Sequence, residues 1–136
     1  MRNNLFVIDT NTLISAFLFR YSTPRKAFEK AVKKGNICSS FKIYEEFSEV
    51  LLRSKFDKYV SLEEKLLALK QFKELIHFSE ISVTITDCRD PKDNKFLELA
   101  VSADASCIVT GDKDLLVLHP FRGIPILNAT DFLNNF

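Results

Sequence analysis

Two short apolar runs, Leu5 to Ile8 and Cys107 to Val109, narrow most what this chain can become. Each is continuous rather than alternating and is bounded by polar residues, the pattern of a strand covered on both faces in a parallel sheet. Parallel strands cannot be joined by tight hairpins, so the segments between them must supply crossover helices.

The intervening periodicity fits that requirement. It predicts helices over Thr12 to Phe19 and over about Pro24 to Lys34, the second capped by Thr23 and ended by Gly35. A weak strand over Asn36 to Ser39 follows. Ser40 then caps a helix in which Ile43, Tyr44, Phe47, Val50 and Leu51 recur at helical spacing. Ser61 and Glu64 form a capping box before a helix carrying Leu62, Leu66, Leu69, Phe72 and Ile76. Ile81 to Ile85 alternates, which predicts a strand with one exposed face, and Asp90-Pro91 opens a helix bearing Phe96, Leu97, Ala100 and Val101. Gly111 ends the strand at Val109, Asp112 to Leu118 holds a helical turn, Ile124 to Leu127 forms a last strand, and Thr130 caps a short terminal helix. Strands alternating with helices give an α/β layer structure, whose ligands bind beyond the carboxyl ends of the strands.

At 136 residues the chain is expected to form one domain over 1–136, and 46% hydrophobic content excludes a disordered chain. The net charge of +1 names no partner. Cys38, Cys88 and Cys107 are an odd set without zinc-ligand spacing and read as structural thiols in a reducing compartment. Met1-Arg2-Asn3-Asn4 precedes an apolar run too short for a secretory signal, and nothing approaches the length of a membrane span, so the expected location is the cytoplasm.

Surface acids need no explanation; acids forced inward do. Asp9 terminates the first buried strand and Asp112 follows the Val109-Thr110-Gly111 end of another, so both lie at the edge of the expected ligand crevice. At about 100° per residue, Asp93 shares a helix stripe with Phe96, Leu97, Ala100 and Val101. It could instead complement the helix dipole, but Asp90 already suits that role. Glu46 lies three residues after Ile43 and four before Val50 and flanks its helix's buried stripe, as a functional acid or as cover for apolar surface. Glu45 and Glu49 fall about 160° from the stripe's centre and read as solvated.

Four clustered carboxylates raise each other's pKa and resist desolvation, so a cation should neutralise them. An all-oxygen set suits Mg²⁺ or Mn²⁺, which bridge to phosphate oxygens, and this points to phosphodiester hydrolysis. His77 and His119 lie on unrelated segments and read as surface or packing residues. Arg25, Lys26, Lys30, Lys33 and Lys34 could touch phosphates, although a solvated helix face is the commoner meaning of such a run.

Four pieces of sequence, in order, resemble the PIN domain family of metal-dependent nucleases. They are Val7-Ile8-Asp9-Thr10-Asn11-Thr12-Leu13; Tyr44-Glu45-Glu46-Phe47 with Val50-Leu51; Arg89-Asp90-Pro91-Lys92-Asp93-Asn94 with Leu97-Glu98-Leu99-Ala100; and Val109-Thr110-Gly111-Asp112-Lys113-Asp114-Leu115. The likeness is nearest to small bacterial VapC-like members classed as toxins of toxin–antitoxin pairs. It implies a three-layer α/β/α fold about a mostly parallel sheet of four or five strands, with the strands ending at Asp9 and Asp112 as neighbours. It implies that Asp9, Glu46, Asp93 and Asp112 hold one or two Mg²⁺ or Mn²⁺ ions. Asn11 and Thr110 would be supporting polar groups, and Asp114 an accessory acid. Single-stranded RNA is the implied substrate, with homodimers and an antitoxin protein as implied partners.

The expectation is therefore a metal-dependent endoribonuclease. One rival is phosphotransfer through an aspartyl phosphate on Asp9, although the phosphatase pattern wants an acid where Asn11 stands. The other is a module that keeps the fold and binds RNA or an antitoxin without cleaving.

Overall fold

The computed structural model describes residues 4–136. Its sheet has five strands: β1 (Leu5–Ile8), β2 (Asn36–Ser39), β3 (His77–Phe78), β4 (Cys107–Val109) and β5 (Ile126–Leu127). Their order is β3-β2-β1-β4-β5, every pair parallel. The continuous apolar runs have the meaning expected of them, because alternate residues enter opposite cores. Phe6, Ile8, Ile37, Cys107 and Val109 face one side of the sheet, whereas Val7, Cys38, Ile108 and Ile126 face the other.

Helices cover both faces, completing three layers. The first side carries α1 (Thr10–Leu18), α2 (Thr23–Lys34), α3 (Phe41–Leu51), α4 (Leu62–Leu75) and α7 (Ala129–Asn135). Its core includes Phe17, Phe28, Phe47 and Phe72, whose ring centroids lie 4.9 to 6.3 Å apart. The second side is built from α5 (Asn94–Ala103) and the short α6 (Lys113–Leu116), through Phe96, Leu97, Leu99, Ala100 and Leu115. Each fully buried aliphatic or aromatic side chain contributes about 1.5–3 kcal/mol. Cys38, Cys88 and Cys107 are free and buried, and burial pushes the thiols of Cys38 and Cys107 up to about 12. They act as small apolar fillers.

Several local expectations need correction. Ile81 to Ile85 is not a strand, and the outer strand is His77–Phe78 instead. The alternation is real, since Ile85 is buried and Val83 packs against the second core. However, the backbone donors are taken by side chains of α5: Ser82 N–H donates to Ser102 Oγ (2.9 Å) and Ile85 N–H to Glu98 Oε2 (2.9 Å). The caps of α2 and α7 are Ser22 and Asn128, not Thr23 and Thr130. Helix α1 starts at Thr10, two residues earlier than predicted, and Ile124 bridges to Phe121 rather than joining β5.

Asp90 caps a 3-10 turn, Pro91–Asp93, from which α5 continues. On α4 the buried stripe is rotated: Lys65, Leu69, Phe72 and Ile76 point inward, while Leu62 and Leu66 are 60% and 51% exposed. The predicted reading of Met1 to Asn3 lies outside the described residues. Among the described residues no helix is long and apolar enough to cross a membrane.

Candidate active site

The carboxyl ends of β1 and β4 adjoin, with Ile8 in register with Val109 and Asp9 N–H donating to the Val109 carbonyl (3.1 Å). This pairing places Asp9 beside the segment Thr110 to Asp112. Asp9 is 5% exposed, and it also caps α1, its Oδ1 accepting from Thr12 N–H at 3.0 Å. Its Oδ2 accepts from the fully buried Thr110 hydroxyl at 2.5 Å. The same Thr110 oxygen accepts from Asp112 N–H at 3.0 Å, so one hydroxyl ties the two acids together. Asp112 caps α6, accepting from Asp114 N–H at 2.8 Å.

Asp93 approaches from the second face. It ends the 3-10 turn and makes no capping hydrogen bond at the start of α5, so the bland dipole role falls to Asp90, which accepts from Lys92 N–H. Asp93 lies within hydrogen-bonding reach of Asp112, while its Oδ2 is buried with no partner among the described residues. Burial first, then the bond to Asp112 and that residue's charge, push Asp93 up to about 7. Asp9 is also raised, by burial chiefly and by the charge of Asp112, against the opposing hydrogen bonds from Thr110 and Thr12.

Glu46 is half-buried on α3, with Glu45 and Glu49 exposed, as the helical geometry requires. Its Oε1 accepts from the Thr10 hydroxyl, and its Oε2 pairs with Lys95 Nζ at 2.5 Å. Lys95 sits two residues after Asp93 and draws that carboxyl downward, against the larger upward effects.

The supporting residues divide. Thr110 lies at the centre of the acid pair. Asp114 orients Asp112 through its backbone and lies 3.9 Å from Arg89 Nη1 by its carboxylate. Asn11 is exposed and has no hydrogen bond to the acids among the described residues. Away from the site, Arg25 lies over the Phe17 and Phe28 rings at 5.8 and 5.2 Å, and Lys30 Nζ donates to the Leu133 carbonyl (2.7 Å), so part of the basic run is structural. His119 Nδ1 accepts from Ile126 N–H (2.8 Å), a packing role.

Sequence reasoning missed Thr10, Lys95 and Asn94. Asn94 Oδ1 accepts from Cys88 N–H at 2.8 Å and fixes the approach to the 3-10 turn. The signal for Asn94 was a polar residue next to an inward acid; Lys95 gave none, because its partner lies on another helix.

Among the described residues no three His, Cys, Asp or Glu side chains are drawn tightly enough together to form a ready ion cage. Asp93 and Asp112 are in contact, while Glu46 is held by Lys95. The donor set nevertheless fits a hard divalent cation, being all oxygen, with one unpartnered buried carboxylate oxygen on Asp93 and a second carboxylate touching it.

Comparison with known proteins gives the family. An uncharacterized protein from Methanocaldococcus jannaschii is 36% identical over 120 residues, covering 83% of this chain and 74% of the relative. A crystal structure of VapBC2 from Rickettsia felis, bound to a DNA fragment from their promoter, is similar in fold. It has a TM-score of 0.53 at 17% identity, with 91% of this chain and 97% of that chain covered. The sequence profile of the PIN domain matches residues 6–114, a stretch that runs from β1 through the Asp112 turn. The chain therefore belongs to the PIN domain family, whose members are generally nucleases.

Proposed function

We propose that this chain is an endoribonuclease that hydrolyses phosphodiester bonds of single-stranded RNA with Mg²⁺ or Mn²⁺, one or two ions being held by Asp9, Asp93, Asp112 and Glu46. The observation that carries the reading is the buried, unpartnered Oδ2 of Asp93 in a carboxylate that touches Asp112. Two neighbouring acids in hydrogen-bonding contact, at the strand ends where this fold binds ligands, are a costly arrangement without a cation.

When bound, such an ion supplies Lewis acidity, polarising the phosphoryl group, activating water and offsetting charge on the leaving oxygen. The chain's own residues prepare that chemistry. Thr110 and the Thr12 N–H lock both oxygens of Asp9, so its orientation is fixed before substrate arrives. Thr110 and the Asp114 N–H fix Asp112 from both sides. Asp93 contributes the free oxygen. Glu46, on a separate helix, binds a second ion or positions water, and Asn11 and Asp114 line the approach as polar support. The engaged, nearly buried carboxylate of Asp9 argues against a phosphoaspartate route, since both its oxygens already accept hydrogen bonds.

The reading extends to a single domain over 1–136, a cytoplasmic toxin and an antitoxin or second copy as partner. An open groove of about 910 Å³ between α1, α2 and α4, bordered by Phe17, Val32, Tyr59 and Leu75 and by Arg20, Glu29, Glu64 and Glu74, offers a surface of mixed character for either.

Incubation of the purified chain with defined single-stranded RNAs, with and without Mn²⁺, tests the proposal. Cleavage that requires the ion and disappears in Asp93→Asn is expected. Binding of RNA without turnover across substrates and both ions would overturn it in favour of a non-cleaving module.

A further inference from the structure

Lys95 stands where nothing in the proposed chemistry needs it. Its side chain is only 13% exposed, yet it carries a full charge into the acid cluster. Its Nζ lies 2.5 Å from Glu46 Oε2 and donates to the Lys92 carbonyl at 2.7 Å. The other Glu46 oxygen accepts from the Thr10 hydroxyl, so both oxygens of this acid are engaged. Asp93, two residues before Lys95, keeps an oxygen with no partner among the described residues. Among the described residues Lys95 is the one cation paired with any of these four acids, and it is spent on Glu46 rather than on Asp93 and Asp112.

We propose that Lys95 is a positioning residue that occupies Glu46 in the metal-free protein, and that a divalent ion competes with it. This rests on the metal-site reading above. An ion entering beside Asp93 meets a positive charge within the same pocket, and Glu46 can turn to it only by giving up the ammonium. Lys95 then sets how tightly the ion binds, without touching the reacting atoms. A plain interhelical ion pair between α3 and α5 makes a different prediction: its loss would weaken the fold and leave ion affinity alone.

Manganese titration followed by electron paramagnetic resonance separates these cases without any turnover. Lys95→Gln is expected to bind Mn²⁺ about tenfold more tightly than the parent chain, and Lys95→Arg, which keeps the charge, to stay within about twofold. In a Glu46→Gln background the effect of Lys95→Gln should shrink to under about threefold. In the parent chain itself, acylation of the Lys95 amine, mapped by mass spectrometry, should accelerate when Mn²⁺ is added. Unchanged or weaker Mn²⁺ affinity in folded Lys95→Gln, or an acylation rate indifferent to Mn²⁺, overturns the proposal while leaving the metal site standing. Failure of the parent chain to bind Mn²⁺, or undiminished binding by Asp93→Asn, overturns both.

Discussion

Two regions of this protein bury charge, and they treat it in opposite ways. On α4, Lys65 is 1% exposed, and its ammonium donates to Asp57 Oδ1 at 2.6 Å and to the Arg53 carbonyl at 3.1 Å. Every strong demand of that charge is met, and the pair pins α4 to the turn before it. At the ends of β1 and β4, by contrast, Asp9, Asp93 and Asp112 lie together with an unpartnered oxygen, and the nearest ammonium is engaged by Glu46. The first region spends a counter-charge on stability. The second leaves an acid oxygen without one, the arrangement that the proposed metal site calls for.

Substitution of acids in the two regions should therefore have opposite signatures. At the strand ends, Asp93→Asn or Asp112→Asn is expected to cut RNA cleavage by about a thousandfold, judged from the usual loss on removing a preorganised catalytic group. Thermal melting without metal should hold or rise, because like-charge repulsion is relieved. A large drop in melting temperature would place these acids with the structural charges instead. At the other region, Asp57→Ala leaves Lys65 with only a carbonyl. It should lower stability by about 2 kcal/mol in urea unfolding, with cleavage unchanged while the chain is folded. The Asp57 side chain is 63% exposed, and solvent screening keeps the loss below that for a wholly buried pair.

Acidity sharpens the contrast further. In the folded chain Asp93 titrates at about 7, above its ordinary 3.8, and Asp9 is shifted the same way. The folded state thus holds protons that the unfolded state has released. The stability this contributes is fully present below the unfolded pKa and is lost as pH rises through the folded one. Metal-free protein should melt at a lower temperature at pH 8 than at pH 5, and Mn²⁺ should remove the difference. A pH-independent melting curve would mean that the acids are neutralised by other means. The smallest effect is expected from Thr110→Val, which deletes the hydroxyl joining Asp9 to Asp112 N–H. About 1 kcal/mol of stability and roughly tenfold of activity should go, read by calorimetry and by cleavage rate.

The same two regions show what was legible in the sequence. The buried runs of β1 and β4, the caps Ser40 and Ser61 and the inward direction of Asp93 follow from short-range pattern, whereas the three layers and the adjacency of the β1 and β4 ends came from the family resemblance. The stripe of α4 was misplaced because lysine reads as a solvent residue; Lys65, Leu69, Phe72 and Ile76 form one face only once Asp57 is known to meet the ammonium. Ile81 to Ile85 looked like a strand because its alternation records burial against α5, whereas strand identity depends on who takes the backbone hydrogen bonds, and there the takers are Glu98 and Ser102. Lys95 and Thr10 were missed for a related reason. Each acts on Glu46 across helices, and no spacing within one segment encodes a pairing between two.

Crystals grown with Mn²⁺ and an anomalous difference map at the manganese edge would show whether the strand-end acids take up the divalent ion proposed for them. A manganese peak coordinated by Asp93 Oδ2 and Asp112, with Asp9 adjoining, is expected. A map in which these carboxylates remain in contact with each other and no manganese lies between them would contradict it.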